Sequence, residues 1–215
     1  MKIVIFGATG HIGQRIAREA LERGHEVVGV VRDPARSQAP DPRVRLVQGD
    51  ATDAESVARA VQGADAVVSA VSPRPGTTGE APSLSDAARG LIAGLRQAGV
   101  QRLIVVGGAG SLEVAPGVAL MDAPGFPDAY RAEAEQGRDS LAVYRTEADG
   151  LEWTFQSPAI VIQAGERTGH YRTTGDALLT DEQGNSVISF EDYAVALVDE
   201  LEQRRHVGQR FGVAY

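Results

Sequence analysis

The chain of 215 residues contains no cysteine, which excludes disulfides, thiolate nucleophiles and cysteine-ligated metal centres. Aromatic residues make up only 5% of it, and the one tryptophan, Trp153, reads as core or interface rather than a stacking platform. No apolar run approaches the roughly 18–20 residues that a bilayer span needs. Positive charge is in short supply too: the net charge is −8 and no basic cluster extends beyond Arg204-Arg205, so nucleic acid is not an expected partner. Met1-Lys2 passes directly into an apolar run, which leaves no room for a signal peptide and points to the cytoplasm. His25, His170 and His206 are scattered without metal-ligand spacing, so no metal site is expected.

What is present is ordinary globular composition, 43% hydrophobic and 23% charged, at a length that suits one domain with a sizeable core. Neither an internal repeat nor a low-complexity segment nor a linker divides it.

The chain opens on its most specific feature. Ile3-Val4-Ile5-Phe6 is an apolar run, followed at once by Gly7-Ala8-Thr9-Gly10-His11-Ile12-Gly13. A helical pattern then places Ile12, Ile16, Ala20 and Leu21 on one face and closes at Gly24. A buried strand, a glycine turn and an amphipathic helix together build a dinucleotide site. The first glycine permits the turn, the second lets backbone N–H groups approach a pyrophosphate, and the third lets helix and strand pack closely. The imidazole of His11 is expected to face solvent, its backbone being the useful part.

Further on, strands and helices alternate. Strands are expected at 2–6, 26–31, 44–48, 66–71, 102–106 and 152–155, with helices at 11–23, 53–62, 84–98 and 132–148. A loop follows at 72–82, and an irregular stretch at 107–129. Each parallel strand pair needs a crossover, so this rhythm predicts an α/β fold, a doubly wound parallel sheet of Rossmann type. The last 60 or so residues break the rhythm. Short strands at 160–163 and 169–173, a turn at 181–185, a helix to Gln203 and a final strand at 210–214 are expected. Ser189 with Asp192 has the spacing of a capping box. Residues 158–190 thus form a small irregular region on the substrate side of a single domain.

In such sheets the ligand lies beyond the carboxyl ends of the strands. Those ends bring together the turn 7–13, Arg32, Asp50-Ala51, Ala70-Val71-Ser72, Gly107-Gly108 with Ser111, and Ser157-Pro158. Arg32 discriminates most, because a site for the unphosphorylated cofactor places a carboxylate there, whereas a guanidinium suits a 2′-phosphate. Asp33 remains available as the rival carboxylate. For Asp50, an adenine contact and a plain turn aspartate both stay open. The carboxylate pairs Glu133 with Glu135 and Asp199 with Glu200 read as solvated helix faces.

The glycine turn, Val31-Arg32-Asp33-Pro34, Gln48-Gly49-Asp50 and the run Val105 to Ser111 resemble the atypical short-chain dehydrogenase/reductases. Within them, the chain is most similar to the small NAD(P)-binding proteins named as NADH–flavin reductases. These are related to biliverdin-IXβ reductase and to the nitrogen-metabolite-repressor type. The likeness continues through Gly165 to Gly169 and Ile188 to Ala194. It implies a Rossmann fold, a nicotinamide dinucleotide and a small-molecule substrate, with flavin as substrate rather than resident cofactor, while Arg32 makes NADP(H) the expected choice over NAD(H).

One departure matters. The superfamily's acid/base pair is a tyrosine followed four residues later by lysine, but Tyr130 is followed by Ala134 and Tyr144 by Ala148. Its usual serine falls at Gly107-Gly108. Ser111 and Tyr130 remain as candidates for orienting a substrate, with Phe126, Tyr130 and Tyr171 the aromatics available for stacking. The expected function is NADPH-dependent hydride transfer to a planar conjugated acceptor. A non-catalytic NADP(H) sensor and a sugar-nucleotide epimerase or dehydratase are the alternatives.

Overall fold

The computed structural model describes residues 1–72 and 83–215; the expected loop 72–82 falls outside them except for Ser72. β1 (Lys2–Phe6) is apolar from Ile3 onward because both its faces are covered there. Ile3 and Ile5 pack with Ile16 and Ala17 of α1 (His11–Glu22), while Val4 and Phe6 join the leucines of a helix on the other side. The chain then forms β2 (Glu26–Val31), β3 (Arg45–Gln48), α2 (Ala54–Ala60), β4 (Ala66–Ser69), α3 (Leu84–Ala98) and β5 (Arg102–Val106). Ser83 and Asp86 close a reciprocal capping box at the start of α3, and Gly99 ends that helix in the left-handed region.

After β5 comes a short hairpin, β6 (Glu113–Ala115) and β7 (Val118–Ala119), then α4 (Arg131–Glu147) and β8 (Glu152–Ser157). β9 (Val161–Gln163), β10 (Arg172–Thr174), β11 (Val187–Ser189), α5 (Phe190–Gln203) and β12 (Gln209–Ala214) complete it. The main sheet has the order β10-β12-β8-β5-β4-β1-β2-β3. Every neighbouring pair is parallel except β10 with β12. α1 and α5 cover one face, α3 and α4 the other, and the order reverses between β1 and β4: a Rossmann fold. No described helix is long and apolar enough to cross a membrane.

The alternating half of the chain therefore folds as its pattern predicts, and the irregular parts differ. The stretch 107–129 holds the β6–β7 hairpin, and β11, which pairs in parallel with β9, has no counterpart in the expectation. β10 covers 172–174 rather than 169–173. The pair Asp199 and Glu200 is not a solvated face. Glu200 lies against Arg102 at 2.8 Å, with their side chains 2% and 1% exposed. It also accepts hydrogen bonds from the amides of Arg205 and His206 and lies 2.8 Å from His206 Nδ1. Burial pushes the Arg102 guanidinium down, against the pull of Glu200. Asp199 is engaged by Arg23 and by the Tyr171 hydroxyl.

This pair sits where β5 begins, at the sheet edge opposite the crevice, and joins that edge to the end of α5. Removing one member leaves the other buried and unpaired, which typically costs about 3–5 kcal/mol. Glu200→Ala should therefore lower the unfolding free energy by that amount in urea titrations. A loss under about 1 kcal/mol would show that the pair does not hold this edge.

Candidate functional site

The turn at the switch point is tight for reasons that lie in the protein itself at two of its three glycines. Gly7 has φ +80°, and a Cβ there would stand 2.4 Å from the Ala70 carbonyl oxygen. A Cβ on Gly13 would stand 2.1 Å from the Gly7 oxygen. Gly10 is different: its φ is −73° and a Cβ would meet only the Gly7 oxygen, at 3.4 Å. The protein leaves room at Gly10, so the empty space in front of it is available to a ligand. Gly10 is also the N-cap of α1, with no side-chain cap and no acidic residue in the first turn. The free N–H groups and partial positive charge of this helix end stay uncompensated. Ala8 is buried, Thr9 exposed and Ile12 packed on the core. The His11 ring is exposed, as expected, but it stacks on Phe190 with ring centroids 6.0 Å apart.

Beyond β2, Arg32 is exposed, and its carbonyl accepts a hydrogen bond from Gln48 Nε2 at 3.2 Å. Asp33 is occupied, because its Oδ1 accepts from the Ala35 amide and caps the single turn Pro34–Arg36. Asp50 behaves as a turn aspartate. Its Oδ1 accepts from the Thr52 amide and hydroxyl at 2.9 and 2.8 Å, and its amide donates to Ser56 Oγ. Asp53, not Asp50, caps α2. Ala51 is buried with its carbonyl against Gly90.

On the other side of the switch point, Ala70, Val71 and Ser72 follow the end of β4 beside Gly7, and Gly107 and Gly108 follow β5. The Gly107 amide donates to the Gln156 carbonyl at 2.8 Å, and a Cβ on Gly107 would fall 2.1 Å from the Phe155 ring. Gly108 faces open space. A Cβ on Gly110 would stand 2.5 Å from the Ala134 Cβ, so α4 and this loop are in close contact there. Ser157 is fully buried, and its Oγ has no hydrogen-bond partner; Pro158 is buried beside it. An unmet hydroxyl next to Gly107 needs a polar partner.

The two candidates for orienting a substrate are placed less favourably. Ser111 Oγ accepts a hydrogen bond from Arg210 Nη1 at 2.9 Å, and its carbonyl accepts from the same nitrogen at 2.8 Å. Arg210 is buried in β12 and held by Asp176, so Ser111 is fastened to the face of the sheet. Tyr130 ends a single helical turn and is 62% exposed. The one lysine of the chain, Lys2, bonds the Gln62 carbonyl at the opposite sheet edge. Phe126 lies under the Arg131 guanidinium. Tyr171 turns towards Asp199, well along α5, and not towards the strand ends.

Residue pattern alone did not show where the side chains in the opening turn of α5 are engaged. The Ser189–Asp192 capping box is only half formed: Ser189 Oγ accepts from the Asp192 amide at 2.9 Å, but the Asp192 carboxylate turns elsewhere. It accepts from Thr168 Oγ1, the Gly169 amide and the Tyr215 hydroxyl, each at 2.7 Å. Burial works against ionisation there, yet these donors outweigh it and hold the carboxyl below its ordinary range.

A turn that reserves space at Gly10, an uncapped helix end, an unpaired arginine after β2 and the unmet Ser157 hydroxyl all fit a nicotinamide dinucleotide stretched across the carboxyl edge. The Arg32 side chain has no ion-pair partner among the described residues. Solved structures that cover this chain completely include the following three. A Burkholderia pseudomallei protein, provisionally named an exported protein, is 49% identical with a TM-score of 0.90, covering 100% of both chains. A Bacteroides thetaiotaomicron protein provisionally named an epimerase is 37% identical with a TM-score of 0.88 over 96% of its own length. A Streptococcus pneumoniae protein provisionally named an NADH–flavin reductase is 36% identical with a TM-score of 0.83 over 99% of its own length. The family model for NAD(P)H-binding proteins matches residues 7–204, from the first glycine of the turn to the end of α5. The chain belongs to the NAD(P)H-binding oxidoreductase family.

Proposed function

We propose that the protein uses NADPH to reduce a planar conjugated acceptor, a flavin or quinone, bound against the carboxyl edge as a substrate. The observation that carries this reading is the filling of the places where a carbonyl reductase keeps its acid. Phe155 occupies the space of any side chain at 107, Ala134 is packed against Gly110 where a lysine would stand, and Lys2 is on the far edge. A simple ketone needs a proton delivered as hydride arrives. A conjugated ring spreads the charge and takes its proton from water, so the protein mainly aligns two rings.

The bound dinucleotide supplies the hydride. The turn 7–13 and the end of α1 hold its pyrophosphate. Arg32 meets the 2′-phosphate, with Asp33 withdrawn as a competing ribose ligand by its cap on Ala35. Asp50-Ala51 borders the adenosine half, and Ala70-Val71-Ser72, Gly107-Gly108 and Ser157-Pro158 border the nicotinamide half. Ser111 shapes the loop through Arg210, and Tyr130 lines the open side. A reaction that draws on the reduced nicotinamide pool supports a cytoplasmic setting. The same filled positions weigh against a sugar-nucleotide epimerase, which needs an acid/base pair.

Gly10→Val should fold normally, since the protein leaves room there, and should lose NADPH binding. Circular dichroism and fluorescence titration would show both, and normal affinity in a folded variant would place the phosphates elsewhere. Losing one charged contact to a phosphate costs about 1.5–3 kcal/mol. Arg32→Ala should thus weaken NADPH by at least tenfold and leave NADH unchanged; an unaltered NADPH/NADH ratio would remove Arg32 from the site.

Steady-state assays should show NADPH oxidation with FMN, riboflavin or quinones, and little with aldehydes or ketones. Tyr130→Phe should cost far less than the ~10²–10⁴-fold expected on losing a general acid. Tight NADPH binding without turnover of any acceptor would favour a sensor, and turnover confined to small carbonyls would reinstate a tyrosine acid.

A further inference from the structure

We propose that the opening turn of α5, Phe190 to Tyr193, is the positioning element that sets the pyrophosphate and nicotinamide portions of the dinucleotide site. This rests on the nucleotide reading above and adds residues that lie outside the glycine turn. Its four consecutive residues hold the first turn of α1, the segment 165–169 and the β5–β8 junction. The Phe190 ring lies parallel to the His11 ring, at an interplanar angle of 6° with centroids 6.0 Å apart, and the Arg15 guanidinium lies over the Phe190 ring, 5.4 Å from its centre. His11 and Arg15 are one turn apart on α1, so a single ring clamps the first turn of the helix whose N–H groups face the phosphates.

Glu191 adds a polar bond to the same place. Its carboxylate accepts from Arg15 Nε at 3.1 Å and from the Gly165 amide at 2.9 Å. Arg15 also donates to the His11 carbonyl at 3.2 Å. Asp192 secures Thr168, Gly169 and the last residue, Tyr215, as described above. The segment 165–169 is thereby tied to α5, and it reaches α1 through Arg167, which bonds Glu19 at 2.7 and 2.8 Å.

Tyr193 acts at the other end. Its hydroxyl is fully buried and donates at 2.7 Å to the Gln156 carbonyl, the same oxygen that accepts from the Gly107 amide. Gln156 Nε2 returns a bond of 3.0 Å to the Tyr193 carbonyl. One tyrosine thus fixes the junction of β5 and β8 directly beneath Gly107 and next to Ser157. Because Phe190 and Tyr193 lie three residues apart on one helical turn, the distance from the phosphate turn to the nicotinamide floor is set by a rigid element.

The test compares NADPH with 2′-phospho-ADP-ribose, which carries the pyrophosphate but no nicotinamide. Phe190→Leu keeps apolar bulk but no flat face, and should weaken both ligands alike, by roughly tenfold. Tyr193→Phe keeps the ring and should weaken NADPH several-fold while leaving 2′-phospho-ADP-ribose at its wild-type affinity. Phe190→Ala serves as a second, harsher variant of the first kind, and thermal melts accompany every titration. General loosening of the fold would lower the melting temperature and weaken both ligands together in every variant, which would overturn the proposal. Wild-type affinity for both ligands in all three variants would overturn it equally. Failure of the wild-type protein to bind either ligand would instead strike at the nucleotide reading, and this proposal with it.

Discussion

The rest of the site depends on one close approach, that of Gly13 in α1 to the carbonyl of Gly7 at the end of β1. No side chain fits between them. The contact brings the first turn of α1 down onto the strand end, and so aims its unpaired N–H groups and partial charge across the switch point. Gly7 makes the matching approach to Ala70 after β4, closing the other wall of the crevice. With these two contacts made, the bottom of the turn is protein on all sides and its mouth, at Gly10, is left open. An anion is the chemistry that such a mouth accepts.

A second constraint decides what the site does with what it holds. Two glycines of the loop after β5 are fixed because other groups occupy their side-chain space, Phe155 under Gly107 and Ala134 against Gly110. Phe155 is part of the core, tilted against Tyr144, so it cannot be withdrawn cheaply. A side chain at 107 would require Phe155 to move, and with it the packing of Tyr144 in α4. The absence of a side chain at 107 is therefore built into the packing of this fold. The Ser111 hydroxyl, the nearest polar side chain in that loop, is spent on Arg210.

Much of this was legible in the residues, for a physical reason. Parallel strands covered on both faces are predominantly apolar, and glycines at tight turns cannot be replaced, so β1, β2, β4, β5 and the glycine turn announce themselves. The strand-end rule named Arg32, Gly107 and Ser157 as candidates, and the fold brings all three to the carboxyl edge of the sheet. Illegible were the features made by pairing distant residues. Nothing local marks Glu200 as the partner of Arg102, and a helix-face reading of Asp199-Glu200 was the natural one. Asp192 has the spacing of a capping residue, and only the tertiary fold shows Thr168, Gly169 and Tyr215 competing for its carboxylate. Three-residue strands such as β11 are too short to carry a period.

Amide chemical shifts during a titration with NADPH test the central claim most directly, since they report the position of the ligand residue by residue. The account predicts that the largest changes fall on Gly7 to Gly13, Arg32, Gly107, Gly108 and Ser157, along one line across the carboxyl edge. Changes centred instead on the recess lined by His170, Tyr171, Asp199 and Arg205 on the outer side of α5, or spread without pattern, would contradict it.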